Sequence, residues 1–496
     1  MPKFDVVIIG SGLGGLLCGN ILSKEGKNVC ILEKHHQFGG NLQTFKRSGK
    51  IFDTGIHYVG GLGEGQNLHQ YFKYAGIIDK LNIKRLDMDA FDKINFEGKT
   101  YSYAQGFDHF IETLTNDFPD EKNALINYKT KIKDICNHFP LYNLRPNLGL
   151  DNEHVYFERS VGDFIQSITN NKTLQNVLAG NNLLYAGVPD KTPVAIHALI
   201  TNSLIEGAYR FEDGSQQIAD LLIKTIENNG GTLMNNSEVK EIVVDNGKAE
   251  SVVLANGETI KADHFISAIH PSLTLQMTDS KLLRKSYRTR INEIEETISV
   301  FAVYFSLKTD CFKYLNYNYY HSTESNVWSI PKYDAKKWPQ NYLFLTPPSS
   351  KSDKYAETAT AMTYMQYDEV KQWENSDIGK RGDDYEEFKK QKAEKLINEI
   401  NKQFPDFKDS IENYYTSTPL SMKDYTGTKH GSIYGVFHDC NKPLRTKISP
   451  RTKIPNLLLS GQNTNIHGVL GVTVGSVLTC TEMLGMEYLL KKINNA

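Results

Sequence analysis

Hydrophobic positions recur along this chain in two rhythms, and the rhythm switches several times. Val6-Val7-Ile8-Ile9 is an unbroken apolar run of strand length, the pattern of a strand buried on both faces. Glycines follow at once, and residues 16–23 carry helical spacing. A second apolar run at 28–32 predicts a second strand. Residues 110–118 and 122–139 read as helices, in a stretch rich in aromatic and amide side chains. Strand and turn signals return at 239–244 and 251–254, with Asn246-Gly247 and Asn256-Gly257 as hairpin signals. Runs at 297–307 and 358–367 predict two more strands, and 384–404 predicts a charged helix with a solvated face. A strand at 457–460 leads into a glycine-studded helical tail.

Glycine-rich character thus appears at both ends and in the middle. It predicts an α/β protein with one domain in three pieces, 1–75, 205–275 and 441–496. Two insertions, 76–204 and 276–440, would form a second, α+β domain with a helical lid. The 496 residues can bury a large core. The formal charge of −2 argues against a nucleic-acid partner bound by bulk electrostatics. Cys18, Cys30, Cys136, Cys311, Cys440 and Cys480 are scattered, with no C-x-x-C pair, which suits a reducing cytosol and offers no zinc site. No run of about 20 apolar residues predicts a membrane span. A cytoplasmic protein is expected, with peripheral membrane contact left open.

Gly10-Ser11-Gly12-Leu13-Gly14-Gly15 matches G-x-G-x-x-G between the first strand and the first helix. Glu33 closes the second strand at the spacing of one βαβ unit. Gly10 permits the tight turn, Gly12 lets backbone amides reach a pyrophosphate, and Gly15 lets helix pack on sheet. The helix N-terminus, with Ser11 and Gly14 beside it, faces the phosphates, and Glu33 suits ribose hydroxyls. This signal alone does not separate NAD from FAD.

The next residues help. Ile31-Leu32-Glu33-Lys34 runs into a second pair, Gly39-Gly40, followed by Asn41. This entrance resembles that of the FAD-dependent amine oxidase and phytoene desaturase superfamily, in which the second glycine pair approaches the FAD. Many members have Arg where this chain has Asn41. Gly207 to Gly214 and then Val239 resemble the block whose backbone meets the adenine. Gly461-Gln462, then Gly471-Val472, resemble the closing motif, in which a helix N-terminus points at the flavin edge. Gln462 stands where many relatives have Asp. Within the superfamily, Phe52-Asp53-Thr54-Gly55-Ile56-His57-Tyr58, Ser417-Thr418-Pro419-Leu420 and Gly431 to Gly435 look most like retinol saturase and its carotenoid isomerase and desaturase relatives. That likeness implies a Rossmann-like FAD-binding domain with an inserted substrate domain. It also implies an oxidoreductase acting on conjugated double bonds of a long apolar polyene or isoprenoid lipid, with an unidentified electron donor or acceptor.

Flavin carries the redox chemistry, so the protein need supply only positioning and protons. By the resemblance, Gly55 and His57 run beside the flavin. His57 and Tyr58 are the candidate proton donors or acceptors, with a packed lining as the competing reading. His467, in the closing motif, is a third catalytic candidate. Asp53 is expected to brace its turn, and the adjacent His35-His36 lack chelating spacing, so no metal is expected. Two other functions stay open: a flavin amine oxidase, which would want an aromatic pair that residues 463–467 do not offer, and a lipid-binding protein without flavin catalysis, like the Rab GDP-dissociation inhibitors.

Overall fold

The computed structural model describes residues 3–146, 152–464 and 466–496. Its first sheet is parallel at its centre, with Thr232–Met234, Val29–Leu32, Phe4–Ile9, Thr259–Ser267 and Leu457–Leu459 side by side. Val7 lies opposite Cys30 on one side and Phe265 on the other, and all three are fully buried. That explains an apolar run without alternation: helices cover one face, and the antiparallel extension and its helices cover the other. The extension is the meander Val239–Asp245, Lys248–Leu254 and the first half of Thr259–Ser267.

Both Asn-Gly signals sit at turns of that meander, but the turns differ. Asn246 and Gly247 have φ of 47° and 80°, the pair of positive values that a two-residue type I′ hairpin requires. At the second, only Gly257 is positive, and the loop is longer, closed by the Gly257 amide donating to the Leu254 carbonyl.

Helix Leu13–Lys24 packs against both Gln216–Asn228 and the late helix Gly468–Leu484. Sequence-distant segments therefore close over one sheet. The packing runs past the boundaries expected from sequence. Ile77, Ile78 and Leu81 share the core of Leu68 and Phe72. Leu283, Ile291 and Ile294 share that of Val239, Val252 and Phe265.

The second sheet takes strands from both insertions. Its order is Ile411–Ser417, Ser299–Leu307, Thr358–Met365, Asn341–Leu345, Asn318–Ser322, Asp92–Phe96 and Lys99–Tyr103. All neighbours are antiparallel except Asn318–Ser322 with Asp92–Phe96. Strand Ser299–Leu307 is buried along its whole length. Phe301, Val303 and Phe305 face helix Asp383–Gln403, while Val300, Ala302 and Tyr304 face the other way into the largest core. The charged helix is thus solvated on one side only. It seats Tyr385, Ala393, Leu396, Ile397 and Ile400 on the sheet.

Arg210 joins the two halves. From strand Ala208–Phe211 its buried guanidinium donates to the carbonyls of Leu315 (2.9 Å), Thr346 (2.6 Å) and Tyr317 (2.9 Å), and to Asn318 Oδ1 (2.7 Å). A rigid fork of donors satisfies several loop carbonyls at once, which a lysine could not do.

Candidate functional site

The glycine-rich entrance is built by close backbone approach. A Cβ on Gly15 would strike the carbonyl oxygen of Gly10, and one on Gly14 would lie 2.8 Å from Gly461 Cα. The first helix therefore meets the closing motif with no room for a side chain. Gly12 precedes that helix and bridges to Gly39, so the second glycine pair, Gly39-Gly40, crosses in front of the helix N-terminus. Ser11 ties these pieces together. Its amide (3.0 Å) and hydroxyl (2.6 Å) both donate to Glu33 Oε2, and its carbonyl accepts from the Gly39 amide at 3.1 Å. Glu33 Oε1 accepts from the His35 amide at 3.0 Å. The carboxylate is thereby held in place, and its remaining lone pairs could receive ribose hydroxyls.

Val239 lies two residues beyond Ser237, whose amide donates to the Glu33 carbonyl at 2.7 Å; the adenine-side candidates therefore adjoin one another. Lys34 departs from this group: it is exposed, beside Asp424. Asp53 braces its turn, accepting from the Ser215 amide (2.8 Å) and hydroxyl (2.7 Å). Burial raises its pKa to about 6 against those two bonds.

Beyond the entrance opens a cavity of about 490 Å³. Asn41, Gly55, His57, Gln462, His467 and Gly471 wall its inner end. Leu199 and Leu204 from helix Val194–Glu206, and Val300, Leu343 and Met362 from the second sheet, make its flank apolar. Val472 is buried one residue past Gly471, in the first turns of helix Gly468–Leu484. The N-terminus of that helix opens on the cavity through Gly468 and Val469.

His57 is the singular polar group in this wall. Both ring nitrogens are buried, with no hydrogen-bond partner among the described residues. Burial, helped by the positive charge of Arg210, lowers its pKa to about 4, so the ring is neutral near pH 7, with one N–H and one lone pair uncommitted. Tyr58 is placed differently. Its hydroxyl donates to Asp92 Oδ2 at 3.0 Å and meets the Tyr320 hydroxyl at 2.6 Å. Asn318 (2.8 Å) and Asn181 (3.3 Å) also donate to Asp92. Burial carries Asp92 up to about 7 despite those bonds. Tyr58 thus anchors its segment through a polar network that sequence reasoning missed, because Asp92 stands on one strand and Asn318 and Tyr320 on another, far apart in the chain and with no motif between them.

His467 is also engaged. Its Nε2 lies 3.0 Å from the Leu184 carbonyl, and its ring stacks on Tyr434 at 4.1 Å. Burial lowers its pKa to about 4. Residues 463–467 contain no aromatic pair, yet the fold supplies a ring partner from Tyr434. The two rings are in contact, so no amine fits between them. Asn465, within that stretch, lies outside the described residues. No cluster of metal-ligating side chains occurs among the described residues.

These residues fit FAD. The open space in front of Gly12, where a Cβ would meet no protein atom within 4 Å, can accept a pyrophosphate, Glu33 stands at the ribose position, and His57, with no partner on its ring nitrogens among the described residues, belongs to the inner cavity wall. Gly10, Ser11, Gly12, Gly14, Gly15, Gly39 and Gly40 could hold the phosphates. Asn41, Gly55, Gly461, Gln462, Gly471 and Val472 could hold the flavin end.

Known proteins similar to this chain agree with that geometry. All-trans-retinol 13,14-reductase of Rattus norvegicus is 28% identical, over 97% of this chain and 86% of its own length. Chloroplastic prolycopene isomerase of Daucus carota is 23% identical, over 87% and 72%. A solved oxidoreductase from Methanosarcina mazei shares the fold with a TM-score of 0.63 at 17% identity, over 95% of this chain and 98% of that one. The family of flavin-containing amine oxidoreductases matches residues 13–478, from the first helix to the last turns of the closing one. With its two glycine pairs, its acidic strand end and its closing helix in one site, the chain belongs to the flavin-containing amine oxidoreductase family, and its cofactor is FAD.

Proposed function

We propose that the chain is an FAD-dependent oxidoreductase acting on conjugated double bonds of a long apolar polyene or isoprenoid lipid. Segments 1–75, 205–275 and 441–496 would carry FAD, and 76–204 and 276–440 the substrate. The observation that carries this reading is the cavity. It is apolar along its flank, and its inner end presents a buried, neutral His57 beside the flavin-binding segments. A conjugated hydrocarbon satisfies such walls, whereas a charged amine would need a carboxylate or an open aromatic cage beside the flavin-binding segments; the carboxylates that line the cavity, on Glu153, Glu158 and Asp439, belong to other segments. The rings of Tyr434 and His467 are in contact, so this pair beside the flavin-binding segments leaves no open cage. The relatives named as a retinol reductase and a prolycopene isomerase support the same substrate class.

FAD supplies hydride or electron transfer when bound. The chain's part is to exclude water, to align the polyene along Leu199, Leu204, Leu343 and Met362, and to hold a proton at a His57 ring nitrogen within reach of the reacting carbons. The electron donor or acceptor is a separate partner. The reading extends to a cytoplasmic enzyme working peripherally on a membrane, and the six free cysteines support a reducing surrounding.

The test is an anaerobic absorbance titration of the purified holoprotein. Reduced flavin whose bands return as an added polyene loses conjugation establishes saturation. Flavin bands indifferent to every polyene in both redox states, with peroxide released from amines, would overturn the reading.

A further inference from the structure

We propose that the cavity rim around Leu444 is a docking surface for an anionic lipid bilayer. This deepens the polyene reading, on which it rests, by naming the face through which an apolar substrate enters. Leu444 is 86% exposed, the most exposed large hydrophobic side chain among the described residues. It stands on the single-turn helix Pro443–Thr446, and Pro443, Leu444, Lys447 and Ile448 wall one side of the cavity. Helix Glu153–Phe157 lines the same cavity and carries Val155, 48% exposed. A lone exposed leucine needs no explanation. Two protruding apolar side chains on segments that line one apolar cavity form a patch whose burial would also shield the cavity.

Cations gather on the Leu444 side of this patch, whereas Glu153 and Glu158 stand on the Val155 side. Lys442, Arg445 and Lys447 flank Leu444 and are exposed. The Arg290 guanidinium donates to the carbonyls of Arg445 (2.9 Å) and Lys447 (3.1 Å), which fixes the cationic helix Lys285–Glu293 beside the rim. Lys285, Arg290 and Arg445 line one surface groove, and Glu293 in that groove is bound by Arg445 at 3.0 Å. The whole chain has a net charge of −2, so this is a local concentration of cations. An acidic protein would meet the cations but would need a dedicated pocket for Leu444. A bilayer satisfies both features at once, with the apolar tip in the acyl boundary and the cations among anionic headgroups. A lipid-dissolved substrate then enters the cavity without crossing water.

The test is cosedimentation of the holoprotein with two vesicle types, phosphatidylcholine alone and phosphatidylcholine with about one-third phosphatidylserine. Binding is expected to the anionic vesicles and to be released by about 0.5 M salt. Leu444→Glu should weaken it about tenfold. Lys285→Glu and Lys442→Glu should each weaken it about fivefold. Flavin absorbance and Tm of each variant should match the parent, which separates lost docking from lost folding. Absence of binding to anionic vesicles, or equal binding by folded variants and parent, overturns the proposal. So does retention on an immobilised acidic protein without vesicle binding. Polyene turnover in detergent micelles, measured in parallel, keeps the two readings apart. Turnover without vesicle binding removes the surface alone, and vesicle binding lost in the variants without any turnover removes the substrate alone.

Discussion

Ser11 and Glu33 lock the two strand ends of the nucleotide entrance: the Ser11 amide and hydroxyl both donate to Glu33 Oε2, at 3.0 and 2.6 Å. The same serine receives the Gly39 amide on its carbonyl, so one residue sets the acid and the second glycine pair in register. Hydrogen bonds to a buried carboxylate contribute about 1.5–3 kcal/mol each. Ser11→Ala is therefore expected to leave a folded protein whose FAD dissociation constant rises about tenfold or more, as read by fluorescence titration.

Two glycines separate packing from cofactor contact. A Cβ on Gly14 lies 2.8 Å from Gly461 Cα, backbone against backbone, so Gly14→Ala should lower stability by about 1–3 kcal/mol with or without FAD. A Cβ on Gly12 meets nothing within 4 Å. Gly12→Ala should thus keep the apoprotein's urea midpoint and weaken FAD alone. Equal loss of apoprotein stability in both variants would contradict this division.

His57 is the proton-holding candidate that the geometry retains. Its ring nitrogens have no protein partner, and its pKa near 4 keeps it neutral through the physiological range. His57→Ala should keep its flavin spectrum and lose about 10²-fold or more in polyene turnover. The turnover of the parent should carry no ionisation of this ring between about pH 5 and 8. A drop of only a few-fold would reduce His57 to cavity lining.

Burial of neutral histidines also sets the acid limit of folding. His57 and His467 are lowered to about 4 and His197 to about 3, each chiefly by burial. Their unfolded pKa is near 6.5, so the unfolded chain takes up protons first, and stability falls as pH drops from about 6.5 toward 4. At pH 5 each costs about 2 kcal/mol. His197 is held between the hydroxyls of Tyr128 (2.8 Å) and Tyr185 (3.0 Å). His197→Gln should therefore lower stability at pH 7 yet flatten the decline between pH 7 and 5, as followed by Tm.

Arg210 should be the costliest single residue of the interior. Its removal leaves the carbonyls of Leu315, Tyr317 and Thr346 and the Asn318 amide without their donor, in a site that admits little water. Arg210→Ala is expected to cost about 3–5 kcal/mol in urea unfolding. Arg210→Lys should recover only part of it, since one ammonium cannot span four acceptors.

The nucleotide entrance was legible because its signals are local. Val6 to Ile9, the glycines from Gly10 to Gly15, and Glu33 lie within one βαβ unit, and the conformations they need are imposed by neighbours in sequence. The Asn246-Gly247 hairpin and the paired glycine motifs were readable for the same reason. The 384–404 helix was half legible: its charge is plain, but the buried stripe from Tyr385 to Ile400 depends on the sheet beneath it. The network of Tyr58, Asp92, Asn318, Tyr320 and Arg210 left no trace, because its members are isolated polar residues on segments far apart in the chain.

By itself, then, the sequence determined the dinucleotide fold, since short-range periodicity and glycine spacing dictate backbone shape, and it named the cofactor through the resemblance of its motifs to those of the FAD-dependent superfamily. Only the tertiary structure decided that the Tyr58 hydroxyl turns toward Asp92, that Tyr434 closes on His467, and that His57 is left unpartnered at the inner end of an apolar cavity. Those outcomes depend on which distant side chains come into hydrogen-bonding or van der Waals range once long loops have closed, and no spacing along the chain encodes that distance.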